Sequence, residues 1–295
     1  MKNLIRVLLP IATSLLFAGS FVAGKYTNLD LGPLSTTLIR YIIAVLALSL
    51  LIFHYGTKSL IIQKKDIWQM VILGLTGVVG YHYFFFSSLL YTKAANSAII
   101  NASNPLFTST MAAVFLRERL SGKSYFGVGL ALFGVFLLIT RGNIEYLLSM
   151  QFNLGELLML LGVFCWVIYS LMIKNLLKKY SGFTITYYAS LFGTILLFFL
   201  VPVEKFYTND IILSTPSILS LIYMGVFASG IGYYLFNLSL DKIGPTRTAS
   251  SVYSLIPIFV SVLAFIFFNE SVTWITLFCT ILIIVGLNLA LKERR

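Results

Sequence analysis

The chain has 295 residues, of which 59% are hydrophobic and 11% are charged, and its mean hydropathy is +0.94. A water-soluble domain of this length does not sustain such a composition, which excludes the soluble classes of enzyme and binding protein. Apolar runs of about 20 residues, the length that crosses a bilayer, follow one another with short breaks. The runs are continuous rather than alternating, so the sequence predicts an all-α membrane protein and not a barrel.

Ten membrane spans are predicted, in two groups of five. The first group is Val7–Gly24, Pro33–His54, Ile67–Tyr91, Ala94–Leu116 and Ser124–Thr140. The second group is Phe152–Ile173, Gly182–Val201, Pro216–Leu240, Pro245–Phe268 and Thr273–Leu291. Three of these spans have a proline at their beginning, where its missing N–H group costs no hydrogen bond.

The lysine and arginine residues of the predicted loops lie mostly on one side of the membrane. The N-terminus and every second loop hold 16 of the 21. The other loops hold Lys25, Lys93, Arg141 and Lys205, and Arg40 lies inside the second span. Because positive residues are retained in the cytoplasm, both termini are predicted to be cytoplasmic, in a multi-pass protein of the cytoplasmic (inner) cell membrane. The net charge of +11 then requires no nucleic-acid partner.

Part of the first group of spans recurs 152 residues later. The residues Gly80, Tyr81, Phe84, Ser87, Pro105, Phe107, Phe115, Glu118 and Gly134 match Gly232, Tyr233, Phe236, Ser239, Pro257, Phe259, Phe267, Glu270 and Gly286. Such a repeat indicates duplication, and it predicts a five-helix repeat at 1–140, a loop at 141–152 and a second five-helix repeat at 153–295. Because five is odd, the second repeat is inverted. Inverted repeats are typical of secondary transporters, which bind substrate near the midplane between the repeats.

The fourth span carries a polar stripe on one helical face. Its members follow one another at spacings of three and four residues: Ser97, Asn101, Asn104, Thr108 and Met111. A buried amide needs hydrogen-bond partners, so this face is expected to contact protein or water. It forms either interhelical hydrogen bonds or the wall of a cavity, to which Pro105 would contribute by freeing the carbonyl of Asn101. In the ninth span Tyr253 corresponds to Asn101, and Pro257 to Pro105. The two prolines are expected to form a matched pair of broken helices beside a site.

Other polar and aromatic residues inside spans have two interpretations each. His82 is either a hydrogen-bonded structural residue or a proton relay. Trp166 and Tyr169 either stack on a substrate or pack against other apolar residues. Arg40 either pairs with Glu156, which lies at a similar depth, or binds a substrate carboxylate.

A resemblance to a known family rests on motifs in both halves. These are the mid-span prolines with a following glutamate (Pro105, Glu118, Pro257 and Glu270), the opening Phe17–Phe21 with Lys25 and Arg40, and Gly155-Glu156 followed by Trp166. With ten helices in two repeats, the chain resembles EamA-type transporters of the drug/metabolite transporter superfamily. The resemblance implies a carrier of the cytoplasmic membrane, often an exporter of amino acids or other small metabolites.

We therefore expect a secondary transporter, not an enzyme, that moves a small metabolite by alternating access. The cavity is predicted to be lined by Asn101, Asn104, Tyr253, His82, Trp166, Tyr169 and Arg40. The alternative is a membrane-embedded enzyme or lipid-handling protein that uses Arg40, His82 and Glu156. The sequence has no Walker loop and no metal-ligand spacing, so no cofactor and no metal are expected. The expected partners are the bilayer, a small-molecule substrate and, as one candidate coupling ion, a proton; monomer and homodimer both stay open.

Overall fold

The computed structural model describes residues 2–55, 60–115, 121–140, 153–204, 212–243 and 245–292. The helices of the first half are α1 (Lys2–Thr27), α2 (Pro33–Tyr55), α3 (Ile67–Leu73), α4 (Tyr81–Tyr91), α5 (Ala94–Asn101), α6 (Asn104–Phe115) and α7 (Gly122–Ile139). Those of the second half are α8 (Leu154–Leu176), α9 (Gly182–Leu200), α10 (Thr215–Ile222), α11 (Tyr233–Ile243), α12 (Pro245–Phe268) and α13 (Trp274–Lys292). Short 3₁₀ turns at Lys64–Asp66 and Val201–Glu204 complete the helical architecture of these ranges.

The helices are long and apolar enough for a membrane protein. Eight stretches of the described chain have the length and hydropathy to span a bilayer, and Trp274–Ala290 is a shorter apolar helix. The remaining predicted span is broken into α5 and α6, so neither piece reaches that length alone. The protein is thus an all-α membrane protein with ten spans in two inverted halves, as predicted.

The helix beginnings follow from local sequence. The side chains of Ser121, Asn153 and Ser181 each accept a hydrogen bond from the backbone N–H three residues later, which satisfies a group that the helix leaves free. Helices α2 and α12 begin at the predicted prolines, and α10 has a proline in its first turn.

The two halves pack against each other in a pattern that repeats when the halves are exchanged. Helix α1 packs on α11 and α12, and its counterpart α8 packs on α4, α5 and α6. Helices α7 and α13, which are counterparts, pack on each other through glycines. A Cβ atom at Gly127 would lie 2.6 Å from the backbone oxygen of Gly286, so glycine permits this close approach. This reciprocity is what a two-fold relation between the halves produces.

Two π-helical segments interrupt the third and eighth spans. The first π segment is Gly74–Gly80, and the second π segment is Tyr223–Gly232. They end at glycines that correspond in the repeat. Both segments lie within continuous predicted spans, Ile67–Tyr91 and Pro216–Leu240. Each π segment packs on the second helix of the opposite half, the first on α9 and the second on α2.

The two mid-span prolines differ in their effect, contrary to the expectation of a matched pair. Helix α5 ends at Asn101, and α6 begins at Asn104, one residue before Pro105. Helix α12, in contrast, runs through Pro257 without a break. The bundle therefore has one broken helix at this level, in the first half.

Candidate functional site

A cavity of about 50 Å³ lies between the two halves. Its walls come from both halves and consist of Phe17, Ser20, Phe21, Arg40, Tyr81, His82, Phe85, Asn101, Trp166, Tyr233, Tyr253 and Ile256. Five of the seven predicted site residues are in this lining: Arg40, His82, Asn101, Trp166 and Tyr253. A volume of this size holds only a few water molecules.

A smaller cavity of about 20 Å³ adjoins the first. Trp166 and Tyr233 line both, and Tyr169, another predicted site residue, lines the smaller one. The rings of Trp166 and Tyr169 are stacked, with centroids 4.9 Å apart and an interplanar angle of 27°. The aromatic residues of α8 thus lie between the two cavities.

Asn104, the seventh predicted residue, lies behind the cavity wall rather than in it. Its Nδ2 atom donates to Asn101 Oδ1 at 2.6 Å, and Tyr81 Oη donates to the same oxygen at 3.0 Å. Asn101 is in the cavity lining, whereas Asn104 is not. The helix break between the two residues gives this geometry, because it turns the polar stripe away from a single straight face.

His82 is almost fully buried and is hydrogen-bonded to the first π segment. Its Nδ1 atom lies 3.1 Å from the carbonyl oxygens of both Gly77 and Val78, and its Nε2 atom lies 3.3 Å from Tyr41 Oη. The carbonyls require a proton on Nδ1, which leaves Nε2 to accept from the tyrosine hydroxyl; we assign this neutral tautomer from the bonding pattern. These bonds are those of the structural interpretation.

Arg40 is 4% exposed and points to groups of the second π segment. Its Nε atom donates to Ser229 Oγ at 3.0 Å, and its Nη1 atom lies 3.9 Å from Met224 Sδ. Its guanidinium carbon lies 5.9 Å from the ring centroids of Tyr41 and Phe86. The cation is therefore surrounded by a hydroxyl, a thioether and aromatic faces.

The predicted salt bridge between Arg40 and Glu156 is wrong. Glu156 Oε1 accepts from Asn96 Nδ2 at 2.7 Å and from Thr92 Oγ1 at 3.3 Å. Neither of the ion pairs found in the described ranges, Lys25–Glu270 and Lys179–Asp66, involves Arg40. Similar depth in the membrane did not place the two side chains together, because they point to different parts of the bundle. Glu156 is also outside the cavity lining, so Arg40, His82 and Glu156 do not form the single site that the enzyme alternative needs.

Polar contacts join the two halves at the end of the bundle that the charge distribution puts outside, which we name the predicted external face. Glu270 binds Lys25 through Oε1, and its Oε2 atom accepts from the backbone N–H of Ala94 at 3.1 Å. Glu270 therefore caps α5 of the opposite half, because Ala94 is the first residue of that helix. Its counterpart Glu118 lies outside the described residues. Lys93 Nζ donates to the carbonyl oxygen of Ser271 at 3.0 Å.

Two further carboxylates reinforce the same end. Glu204 accepts from the backbone N–H groups of Leu34 and Ser35 at 2.8 and 2.9 Å, at the N-terminus of α2. Asp30 accepts from the backbone N–H and the hydroxyl of Ser214 at 2.8 and 2.6 Å. The hydrogen bond from the Ser214 hydroxyl is the main reason that the pKa of Asp30 lies below its ordinary value. These contacts all connect one half with the other.

Several residues of the site were not predicted from the sequence, although the repeat indicates two of them. Tyr81 and Tyr233 correspond at the 152-residue offset, and both line the main cavity. A tyrosine kept in both copies was visible in the sequence. Ser229 and Tyr41 had no such signal, because their importance depends on the partners that the fold brings to them.

The family model of EamA-like transporters matches the chain over residues 4–140 and 153–292. The chain belongs to the EamA-like transporter family. The match covers both five-helix halves. Membership supports the assignment of the chain as a multi-pass membrane transporter, which the apolar helices and the cavity between the halves also indicate.

This EamA-like transporter is similar to proteins from bacteria and archaea. It is 29% identical over 269 residues to "Uncharacterized transporter YyaM" of Bacillus subtilis, and the aligned residues cover 90% of this chain and 87% of the relative. It is 28% identical over 285 residues to an "Uncharacterized transporter" of Archaeoglobus fulgidus, and the aligned residues cover 96% of both chains. A "Probable terminal-alkyne amino-acid exporter" of Streptantibioticus cattleyicolor is 24% identical over 262 residues, 88% of this chain and 84% of that protein.

The fold of this EamA-like transporter also has a counterpart among solved structures. A crystal structure of a protein covers 98% of both chains with a TM-score of 0.69 and 20% sequence identity. The likeness shows the fold alone.

Proposed function

We propose that this protein is a secondary transporter that carries a small metabolite across the cytoplasmic membrane by alternating access. The solute is an amino acid or a similar small polar or amphipathic compound, and the direction is export. The observation that carries the proposal is the cavity between two inverted halves, with walls from both. Inverted repeats with a central site are the architecture in which one half moves against the other around a fixed site.

The contacts at the predicted external face support the same mechanism. They join the described residues of the two halves there through Glu270, Glu204 and Asp30. Opening this face requires breaking bonds between the halves rather than within them. The relative that is named as a probable amino-acid exporter supports the choice of solute class and direction. Both termini are proposed to be cytoplasmic, on the charge distribution. The proton remains a candidate coupling ion only through His82, whose hydrogen bonds to Gly77, Val78 and Tyr41 favour a structural role.

The test is solute movement by the purified full-length protein. A thermal-shift screen against a metabolite library identifies solutes that raise the melting temperature, and counterflow in proteoliposomes then measures transport of those solutes. We expect saturable counterflow of at least one stabilising solute, recovered chemically unchanged. Recovery of a chemically altered compound, or uptake that rises linearly without saturation for every stabilising solute, would contradict the proposal.

A further inference from the structure

Resting on the proposed function, we propose that the cavity takes organic acids: Arg40 binds the carboxylate, aromatic side chains contact an apolar body, and an amino group on the solute is dispensable. The observation that carries this inference is a buried cation in the cavity wall, without an acidic partner in the described part of the chain. It narrows the proposed solute from a broad class of small metabolites to compounds that carry a carboxylate.

The guanidinium group of Arg40 is buried at a cost in free energy. Arginine stays protonated in proteins, and an uncompensated buried charge costs several kcal/mol. The hydroxyl of Ser229 accepts from Nε, and the thioether of Met224 lies 3.9 Å from Nη1, but neither group carries a negative charge. The rings of Tyr41 and Phe86 contribute weak cation–π attraction. A carboxylate in the cavity would supply the missing negative charge and accept from the Nη groups in the bidentate geometry that suits guanidinium.

Asn101 is a second polar group of the lining. Its Oδ1 atom already accepts hydrogen bonds from Tyr81 and Asn104. With the oxygen used in this way, the amide offers the cavity its Nδ2 donors. Arg40 and Asn101 therefore both present donors to the cavity, which suits an anion.

The remainder of the cavity lining favours a solute without a positive charge. Among the described residues that line the main cavity there is no aspartate and no glutamate, and Arg40 carries the single formal charge. A solute ammonium group would thus find no carboxylate and would meet the repulsion of Arg40. The rings of Tyr81, Trp166 and Tyr253 instead offer apolar faces to a hydrocarbon or aromatic body. Selectivity should follow the acid group and tolerate loss of the amine.

The experiment compares solutes that differ in one charged group. The first set is 3-phenylpropanoate, phenylalanine and phenethylamine, which share a phenyl body. The second set is 4-methylpentanoate, leucine and 3-methylbutylamine, which share an isobutyl body. Thermal shifts of the purified full-length protein are measured for all six, together with Kd values. We expect the acid and the amino acid of at least one set to raise the melting temperature, and the corresponding amine to leave it unchanged.

The variants separate an anion site from a structural role for Arg40. Arg40→Gln should weaken acid binding about 10- to 100-fold, as loss of a hydrogen-bonded charge does. Its ligand-free melting temperature should stay level or rise, because a buried cation without an acidic partner is removed. Arg40→Lys, which keeps the charge and loses the planar fork, should weaken binding about tenfold; it carries the comparison if the glutamine variant does not fold. Lys178→Gln is the control, since it removes an equal charge from an exposed position at the opposite end of the bundle.

The outcomes for the two proposals differ. The organic-acid inference is overturned if an amine stabilises as well as the matching acid, if no acid-specific shift appears in either set, or if Arg40→Gln retains wild-type acid affinity. Counterflow of a non-acidic solute would in that case leave the transport proposal intact. Acid binding that depends on Arg40, without counterflow of any bound acid, would support the site and contradict transport.

Discussion

Replacing Glu270 by glutamine should open the predicted external face. The substitution keeps the shape of the side chain but removes its charge, so the ion pair with Lys25 is lost and the bond from the Ala94 N–H is weakened. The side chains of Lys25 and Glu270 are 20% and 10% exposed, respectively. Because the pair is partly solvated, its own contribution is at most about 1 kcal/mol. Glutamine still accepts a neutral hydrogen bond from the Ala94 N–H, so that bond is weakened by about 1–1.5 kcal/mol, the difference between a charged and a neutral hydrogen bond. A total loss of about 1–2.5 kcal/mol shifts the equilibrium roughly 5- to 70-fold toward the open state.

The assay is the labelling rate of a cysteine in the cavity. Ser20 lines the cavity, and its hydroxyl has no hydrogen-bond partner among the described residues, so Ser20→Cys is a mild change. The native Cys165 and Cys279 are first replaced by alanine. A membrane-impermeant maleimide is then added to intact cells, and Glu270→Gln should accelerate labelling by about the calculated factor.

Asp66→Asn is the matched control for this experiment. Asp66 forms the ion pair with Lys179 at 3.2 Å, at the end of the bundle opposite to Glu270. Its substitution removes a carboxylate that also joins the two halves, but it should not increase labelling from outside. Equal labelling rates in wild type and Glu270→Gln, or an equal increase in Asp66→Asn, would refute the idea that Glu270 holds the external face closed.

Three further outcomes are expected. A cysteine at Lys93 should react with an impermeant reagent in intact cells, and one at Lys178 should react after permeabilisation; the reverse would disprove the orientation. Gly127→Ala should lower the melting temperature by several degrees, since its Cβ would lie 2.6 Å from backbone atoms. Gly129→Ala should leave the melting temperature unchanged, because no atom lies within 4 Å of its Cβ position. Equal melting temperatures for the two variants would contradict the close packing of α7 and α13. Because the folded-state pKa of Asp30 is lowered, its contribution to stability is present above its ordinary pKa and is lost as the pH falls through the folded-state pKa. Asp30→Asn should therefore destabilise the protein at neutral pH and flatten the acidic side of a plot of melting temperature against pH. An unchanged plot would count against the bonds to Ser214.

The membrane spans could be predicted because the bilayer imposes a strong constraint on sequence. Each span must satisfy its own backbone and expose apolar side chains over a fixed thickness. The prolines at the starts of α2 and α12 then fixed two boundaries. Such constraints act on one helix at a time, so a single sequence contains them.

The break in the fourth span was less evident, although its cause is local. Ser103 Oγ donates to the carbonyl oxygen of Ile100 at 2.5 Å, and Asn104 bonds to Asn101. Polar side chains that bind nearby backbone and side-chain groups compete with helix hydrogen bonds. In the ninth span the positions of Ser103 and Asn104 are occupied by Leu255 and Ile256, which cannot do this. A proline alone was therefore an insufficient signal, and the residues before it decided the outcome.

The partner of Arg40 could not be predicted, because sequence gives the depth of a residue but not its direction around the bundle. Arg40 and Glu156 lie at similar predicted depth, yet Arg40 contacts Ser229 and Glu156 contacts Asn96. The direction of a side chain depends on how ten helices are arranged, and on a π segment that changes the phase of the helix it interrupts. No pattern within a single span carries that information.

The paired π segments have an implication for the history of the gene. An insertion that arises independently in two helices has no reason to end at corresponding residues, yet both segments end at glycines separated by the offset of the repeat. Duplication of a helix that was already distorted would produce this correspondence. In that case the ancestor was a five-span chain with this distortion, and two copies of it inserted in opposite directions would have formed the pair that fusion later joined.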